Sequence, residues 1–343
     1  MNVVTPQSGT EVPRGLKPAP QPEPEPDTGP PCPACHSRKL TVLYTATDRL
    51  YATTTEEFTI VECGSCKLIR LEPRPSPSEL HKYYPASYWF APGENTAERL
   101  EETYRRIVLS DHVRFVRRAL ENSGESGPVV DVGCGGGLLL RLLEREGIPV
   151  AGLDISVGAA QVAWHVNGIP TACALLPHAP LAPGSCAVVT MFHLLEHLHD
   201  PVSYIKAARD LLKPEGRLVL QVPNAACWQF LLFGERWNGL DVPRHLIDFK
   251  QSDIDALLRD CGFEPVRYKH FSLRDNPAGL ATTLFPTLDP MARRIRRVPE
   301  TPNVRLLKNL LYIAILLAAF PFTILEAACR AGSTIMVEAR KNR

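Results

Sequence analysis

The sequence predicts an α/β fold, in which a mostly parallel sheet alternates with helices. The strongest indication lies at 128–147, where an apolar, β-branched run stops at a cluster of glycines and continues with leucines at helical spacing. Further apolar runs at 150–154, 188–192 and 218–222 read as strands that alternate with helical patterns. A strand, a tight turn and a helix in this order are typical of a turn that receives a nucleotide-like ligand.

Length and charge narrow the class of protein. The 343 residues are enough for one complete α/β domain and a smaller unit beside it. Lysine and arginine total 38 against 37 acidic residues, and this balance argues against nucleic acid as a partner. The segment 1–31 is rich in proline and lacks a basic-then-apolar signal, so it predicts a disordered leader on a cytoplasmic protein.

Two Cys-x-x-Cys pairs follow this leader. Each pair places two thiolates on one tight turn, and two such turns complete a tetrahedral zinc site. The four cysteines are Cys32, Cys35, Cys63 and Cys66. Together with strands expected at 40–45 and 58–61, they predict a small zinc ribbon over 32–72. Four thiolates leave no position for a reacting water, so we expect the metal to be structural.

The segment 73–127 is expected to form an aromatic linker and a helical cap. The run 80–90 contains five aromatic residues, which either pack at the edge of the sheet or lie over a bound ligand as a lid. Apolar positions at helical spacing then predict an amphipathic helix over 94–122.

Two acidic residues beside the glycine turn indicate which ligand the fold binds. The run Asp131-Val-Gly-Cys-Gly135 departs from the G-x-G-x-x-G dinucleotide pattern, because position 138 is leucine. It resembles instead the E/D-x-G-x-G loop of class I methyltransferases, which use S-adenosylmethionine (SAM). Asp154 ends the next strand, where a carboxylate can accept hydrogen bonds from both ribose hydroxyls.

This resemblance implies a Rossmann-like sheet of seven strands with strand 7 antiparallel, and a SAM-binding core over 128–273. It also implies that SAM is the cofactor and that particular residues contact it. These residues are Asp131, Gly133, Cys134, Gly135, Asp154, Ile155, Met191 and His193. The run 174–184 departs from the family, since it contains no acid that could hold the adenine amino group.

The run Leu195-Glu-His-Leu198 resembles the family segment beside the transferring methyl group. Because imidazole titrates near neutral pH, His197 is the predicted general base, with His193 and His245 as alternatives and a structural role open for each. A polar and aromatic loop within 228–249 is expected to form one wall of the acceptor pocket. Its reactive-looking members are Trp237, Asp241, Arg244 and His245.

The last residues, 332–343, resemble the antiparallel seventh strand, so 274–331 is predicted to be a basic and hydrophobic helical insertion before it. A helix over the uncharged run 310–325 would be about 24 Å long, short of the ~30 Å hydrocarbon core of a membrane. Both ends must also return to one sheet, which excludes a single crossing. The segment 293–325 is left with three options: a membrane surface, a homodimer interface or a cap on its own domain.

Taken together, these patterns predict a SAM-dependent methyltransferase for a small-molecule or lipid-linked glycan acceptor, favouring oxygen or carbon. It would act in the cytoplasm or at the inner face of the membrane. Two alternatives remain open. An RNA or protein methyltransferase would use the ribbon for recognition and would show a basic surface from ribbon to pocket. A catalytically inactive binding protein with the same fold would be indicated by a loss of SAM affinity.

Overall fold

The computed structural model describes residues 29–85 and 96–342, without the side chains of 96–104. All but the last three residues of the expected leader, and the second half of the aromatic run, therefore lie outside the described residues. The strands are β1 (Leu40–Ala46), β2 (Phe58–Cys63), β3 (Ile69–Glu72), β4 (Val129–Val132), β5 (Val150–Asp154), β6 (Thr171–Cys173), β7 (Cys186–Phe192), β8 (Leu212–Pro223), β9 (Ile247–Asp248), β10 (Phe263–Lys269) and β11 (Thr334–Lys341). The α-helices are α1 (Thr96–Ser123), α2 (Leu138–Glu144), α3 (Val157–Gln161), α4 (Pro201–Leu211), α5 (Trp228–Phe233), α6 (Gln251–Asp260), α7 (Asn276–Leu284), α8 (Pro290–Ile295) and α9 (Pro302–Ala328).

The main sheet of the described chain has seven strands in the order β10-β11-β8-β7-β4-β5-β6. Strands β4 to β8 run parallel, whereas β11 is antiparallel to both β8 and β10. The predicted class I methyltransferase sheet with an antiparallel last strand is thus confirmed. All four residues of β4 are buried, as expected for a central parallel strand. From β4 the chain adds β5 and β6 on one side of the sheet and then β7 and β8 on the other side. This change of direction opens a crevice at the carboxyl end of β4.

A second, antiparallel sheet has the order β1-β2-β3-β9. The first two strands were predicted, whereas β3 and β9 were not. Strand β9 belongs to the loop after β8. In its pairing with β3, Ile247 lies opposite Arg70 and Asp248 lies opposite Ile69. The four-cysteine segment therefore shares a sheet with the expected acceptor loop. A two-residue strand has no sequence periodicity of its own, so only its distant partner defines it.

The insertion before β11 consists of α7, α8 and α9. Helix α9 has 27 residues, which makes it about 40 Å long, longer than the helix expected over 310–325. It continues through Pro321, although a proline inside a helix costs about 3 kcal/mol. Ala319 and Thr323, on either side of Pro321, are buried against the protein, so tertiary packing offsets this cost. Since β10 and β11 are paired neighbours, the expectation that the insertion returns to its own sheet is confirmed.

Candidate functional site

The turn between β4 and α2 forms an open cradle. Gly133, Gly135 and Gly137 have φ angles of 75°, 54° and 74°, a region that side chains disfavour. An added Cβ at Gly135 would meet nothing within 4 Å, whereas one at Gly137 would lie 3.1 Å from the Cβ of Ala163. Gly137 is therefore required for packing against the neighbouring helix, while Gly135 leaves the backbone open to a ligand.

Two buried carboxylates flank this cradle. Asp131 is 5% exposed and Asp154 is 4% exposed. One oxygen of Asp154 accepts a hydrogen bond from the backbone N–H of Gly135 at 2.9 Å, and the other accepts from that of Ser156 at 2.8 Å. Asp131 accepts a hydrogen bond from the Thr190 hydroxyl at 2.6 Å. Asp131 lies near the carboxyl end of β4 and Asp154 ends the neighbouring strand β5. The hydrogen bond from Gly135 shows that Asp154 faces the glycine turn.

The electrostatics of these carboxylates fit a ligand that is positively charged and rich in hydroxyls. Burial and, to a smaller extent, the charge of Asp154 raise the pKa of Asp131 to about 7, although the hydrogen bond from Thr190 acts to lower it. Burial also raises the pKa of Asp154, although the N–H groups of Ser156 and Gly135 oppose the change. A cation beside Asp131 and hydroxyl donors beside Asp154 would relieve this cost. The amino group and the ribose of SAM are groups of these two kinds.

Three other predicted cofactor residues have different surroundings. Ile155 follows Asp154 and is 70% exposed, so its side chain is available to a flat ring. Met191 is 0% exposed in the core, which leaves only its backbone for a ligand. The thiol of Cys134 packs against β5, because an added Cβ at Gly152 would lie 2.6 Å from its sulfur.

His197 and His245 form a pair of rings on the acceptor side, with centroids 4.6 Å apart. The Nδ1 atom of His197 lies 3.0 Å from the Arg244 carbonyl, and that of His245 lies 2.7 Å from the Gly239 carbonyl. Because a carbonyl only accepts, both Nδ1 atoms carry the proton, and in the neutral ring Nε2 has a free lone pair. Burial and the neighbouring His197 lower the pKa of His245 to about 4, so it is neutral at pH 7.

His193 has the opposite electrostatic environment. Its Nδ1 lies 3.2 Å from Glu196 and its Nε2 lies 3.4 Å from Asp275. Burial would lower the pKa of His193, but Asp275 and Glu196 outweigh burial and raise it to about 9. His193 is therefore protonated at pH 7, which argues against it as a base. Asp275, which also accepts from the Gln221 amide at 2.7 Å, was missed in the sequence because it lies beyond β10, with no local motif.

The side chains of Glu196, His197 and His245 could together hold a divalent cation. Their potential ligand atoms lie within 4.8 Å of one another. Glu196 is 1% exposed, and its Oε2 atom has no hydrogen-bond partner among the described residues. Burial acts to raise the pKa of Glu196, but the hydrogen bond with His193 and the nearby histidines lower it. Glu196 is therefore an anion beside two imidazole rings, and a carboxylate with two imidazole nitrogens is a ligand set that suits many divalent metals.

The described half of the aromatic run divides between core and site. Tyr83 is buried and packs edge-on against Phe58, with ring centroids 6.2 Å apart. Tyr84 instead places its hydroxyl 2.9 Å from Nδ1 of His197. Since the Nδ1 proton points to an acceptor, the Tyr84 oxygen can share it with the Arg244 carbonyl. The sequence presented core packing and contact with the site as alternatives for this run. In the structure Tyr83 packs in the core and the next residue, Tyr84, contacts the site.

Two of the reactive-looking loop residues are structural. Trp237 is 3% exposed and packs on Phe230, with ring centroids 5.3 Å apart. Arg244 is 0% exposed and forms ion pairs of 2.8 Å with Asp48 and with Asp241. Of the four residues that the sequence singled out in this loop, His245 is the one whose ring faces His197.

The four cysteines of the ribbon come together as expected. Their sulfur atoms lie within 4.8 Å of one another, with 3.6 Å between Cys32 and Cys66 and 3.5 Å between Cys35 and Cys63. A tetrahedron with metal–sulfur bonds of about 2.3 Å has edges of about 3.8 Å. Burial opposes thiolate formation at Cys63, but backbone N–H groups of Cys66 and Ser65 lower its pKa to about 6. The cluster fits a structural zinc ion.

Comparisons with known proteins find methyltransferases. Residues 100–268 match the model of a family described as a methyltransferase domain. The ubiquinone biosynthesis O-methyltransferase of Pectobacterium carotovorum is 34% identical over 172 residues, which cover 47% of this chain and 72% of that protein. The Pseudomonas paraeruginosa protein of the same name is 32% identical over 157 residues, covering 42% and 68%. A solved SAM-dependent methyltransferase from Archaeoglobus fulgidus aligns with 72% of this chain and 100% of its own, at 17% identity and a TM-score of 0.45.

The chain belongs to the class I SAM-dependent methyltransferases. It is therefore an enzyme that uses SAM as a methyl donor, as the sequence predicted. The residues that match the family model include neither the four-cysteine segment nor the insertion that contains α9.

Proposed function

We propose that this enzyme transfers the methyl group of SAM to a hydroxyl oxygen of a small organic acceptor, with His197 as the general base. The free Nε2 atoms of His197 and His245, side by side in the loop after β7 and the loop after β8, carry the proposal. The two curated relatives are named for oxygen methylation, and this supports oxygen as the acceptor atom.

The cofactor would be held by the two acids of the glycine turn. When bound, SAM supplies an electrophilic methyl group on a sulfonium. Asp131 would pair with the charged amino group, and Asp154 would accept hydrogen bonds from the ribose hydroxyls. Gly133 and Gly135 would let the backbone approach the amino-acid part, with Cys134 between them, while Ile155 would lie against the adenine ring. His193, protonated between Glu196 and Asp275, would line this edge of the cofactor site.

His197 would remove the proton of the acceptor hydroxyl as the oxygen attacks the methyl group. The acceptor proton would move to Nε2 of His197, while SAM would supply the methyl group to the oxygen and would leave as S-adenosylhomocysteine. The resulting imidazolium keeps its Nδ1–H bond to the Arg244 carbonyl and lies near the Glu196 anion, which stabilises the new charge. His245, neutral and buried, would shape the pocket and is the alternative base.

The zinc ribbon is proposed to position the acceptor loop. Its strand β3 pairs with β9 of that loop, and its Asp48 is bound to Arg244, the residue before His245. A ribbon that serves the fold in this way supports a small-molecule enzyme over one that uses the ribbon to recognise RNA or protein. The acceptor would be free or carried on a lipid or a glycan, at the cytoplasmic side of the membrane.

Methyl transfer can be tested with a defined probe. Isothermal titration should give a measurable SAM affinity, and methyl-labelled SAM should then methylate catechol, or a polyprenylated catechol as the lipid-soluble counterpart. The expected products are a methyl ether and S-adenosylhomocysteine in equal amounts, and Asp131→Asn should form much less of both when SAM is present near the dissociation constant of the parent enzyme. A folded protein without SAM affinity would instead be a binding protein. Methylation of aniline but not of either catechol would exclude oxygen as the preferred acceptor atom.

A further inference from the structure

Helix α9 is an amphipathic helix whose polar side faces the protein. Its buried positions recur every three or four residues and are Tyr312, Leu316, Ala319, Thr323 and Glu326. The polar groups on this side have partners inside the protein. The Tyr312 hydroxyl lies 3.0 Å from that of Thr282 on α7, and Glu326 accepts a hydrogen bond from the Gln229 amide on α5 at 2.8 Å. The Thr323 hydroxyl donates a hydrogen bond to the Phe320 carbonyl at 3.1 Å, so the polar groups of these buried positions are satisfied within the protein.

The opposite side of α9 is apolar and exposed. From 306 to 328, a range that the structure describes in full, every exposed residue is leucine, isoleucine, alanine or proline. The largest exposed fractions, from 55% to 66%, belong to Leu306, Leu307, Leu310, Leu317, Ile324 and Leu325. At about 100° per residue these six side chains cover an arc of about 100°. All the exposed side chains of 306–328 together, with Ile313 and Leu311 at the two margins, spread over about 160°. Such a surface is unusual on a protein that water surrounds.

The apolar surface continues onto the neighbouring helix α5. Leu231 is 80% exposed and Leu232 is 62% exposed. Helix α5 lies beside the second half of α9, because the rings of Trp228 and Phe322 are 6.2 Å apart. Since α5 directly follows the carboxyl end of β8, the apolar surface borders the edge of the sheet that carries the candidate site.

Positive charge lies at both ends of this surface. Arg297 and Arg305 are exposed before its first leucine, and Arg330 is exposed after its last residue. Arginines that border an apolar helix face suit the phosphates of a lipid surface. A partner helix of a second copy would cover a narrower stripe, about 100° wide, and would bring arginines of the two copies together.

We propose that the exposed face of α9, with Leu231 and Leu232 of α5, docks the enzyme on an anionic phospholipid bilayer. By length and composition α9 could cross a membrane, and only 28% of its most apolar 18-residue stretch is buried. One side of the helix packs on the protein from Tyr312 to Glu326, however, so lipid cannot surround it. The helix therefore lies in the plane of the interface, with its leucines about 5–10 Å deep. If the proposed function holds, a lipid-carried acceptor would reach the site from this side.

Vesicle flotation of the full-length enzyme tests this surface. Vesicles of phosphatidylcholine with about one third phosphatidylglycerol should carry the enzyme upward, and pure phosphatidylcholine should carry less, because the arginines lose their partners. The double variant Leu310→Glu/Leu317→Glu should lower the floating fraction at least fivefold. The matched control Val42→Glu/Ile107→Glu changes residues of 57% and 59% exposure outside the face and should float like the parent enzyme.

Several results would overturn the docking proposal. One is a parent enzyme that stays at the bottom of the gradient with both kinds of vesicle, and another is flotation that the glutamate pair leaves unchanged. A dimer in sedimentation equilibrium that the glutamate pair dissociates, without flotation of the parent enzyme, would assign the face to a second copy. SAM affinity and the melting temperature of the double variant should match those of the parent enzyme, so a failure of docking is separate from a failure of catalysis.

Discussion

The guanidinium of Arg244 donates hydrogen bonds of 2.8 and 3.0 Å to both oxygens of Asp48, and both side chains are 0% exposed. Asp48 lies between β1 and β2 of the ribbon, whereas Arg244 precedes His245 in the acceptor loop. Burial acts to raise the pKa of Asp48, but Arg244 outweighs burial and lowers it. This ion pair therefore connects the zinc ribbon to the pair of histidines in the candidate site.

Replacing Arg244 should destabilise the fold strongly. Arg244→Met leaves Asp48 and Asp241 without their cation, and breaking a buried pair costs about 3–5 kcal/mol of unfolding free energy. Arg244→Lys should lie in between, because it keeps the charge but loses the planar fork. Denaturant unfolding measures these changes.

The control for this substitution is Arg340→Met, which breaks an ion pair whose side chains are 47% and 54% exposed. This change should cost no more than about 1 kcal/mol. Equal losses in Arg244→Met and Arg340→Met would show that the buried ion pair does not hold the ribbon to the core.

SAM affinity should rise with pH as Asp131 ionises. The pKa of Asp131 is raised to about 7, and only the carboxylate attracts the amino group of the cofactor, which stays charged up to its own pKa of about 7.7–8.0. Between pH 5.5 and 7.5, titration calorimetry should show tighter binding at each step. Asp131→Asn keeps an acceptor for Thr190 and should bind about 10- to 100-fold more weakly, without this pH dependence.

The same carboxyl group has a stability consequence of opposite sign. In the unfolded chain Asp131 ionises near 3.8, whereas in the ligand-free fold it ionises near 7. Between these values the folded protein holds the extra proton, so this contribution to unfolding free energy falls as pH rises and is lost above about pH 7. Ligand-free Asp131→Asn should therefore melt at a higher temperature than the parent at pH 8. Identical melting curves at pH 5 and at pH 8 would contradict the buried acid.

Loss of His197 should slow methyl transfer without weakening cofactor binding. His197→Ala removes the proposed base, and general-base catalysis contributes about 10²–10⁴ in rate. Turnover of catechol should fall by this factor, while the SAM dissociation constant from calorimetry stays within about twofold, because the cofactor acids are untouched. His165→Ala changes an exposed histidine and should leave turnover unaltered. A larger loss in His245→Ala than in His197→Ala would assign the base to His245.

Removing one ribbon cysteine should remove the metal. Purified enzyme should contain one zinc per chain by elemental analysis, and Cys63→Ser should lower this value below one half and reduce the melting temperature, because three thiolates cannot close the tetrahedron. Cys173→Ser alters an exposed cysteine outside the cluster and serves as the matched control. A Cys63→Ser protein that keeps its melting temperature and its zinc would exclude a structural site.

The sequence was most informative where a feature depends on neighbouring residues. The glycine turn, the acid at its start and the cysteine pairs are local patterns, and each was found in the structure where the sequence placed it. The capped start of α4 is another example. Asp200, directly before the first helical residue Pro201, accepts a hydrogen bond from the backbone N–H of Ser203. The alternation of helices and strands predicted the α/β class, and the resemblance to class I methyltransferases supplied the seven-stranded sheet with an antiparallel last strand.

Features built from distant residues could not be foreseen. The carboxylate of Asp275, which stabilises the protonated form of His193, lies 82 positions further along the chain. Strand β9 exists only because β3 offers it hydrogen bonds, and the path of α9 through Pro321 depends on side chains that α7 and α5 supply. Propensity predicted a shorter helix, because it contains no term for such packing.

By itself, the sequence determined the α/β pattern, the glycine turn with its two acids and the four-cysteine spacing, since such patterns are encoded within a few residues. Its resemblance to class I methyltransferases then gave the class of enzyme, the cofactor and the antiparallel last strand. The tertiary structure decided which histidine is protonated, which loop arginine is buried and which side of α9 remains exposed. These properties depend on burial and on charges that meet only after folding. Two chemically identical side chains therefore differ in charge: His193 is held as a cation between Glu196 and Asp275, whereas His245 is a neutral ring beside His197.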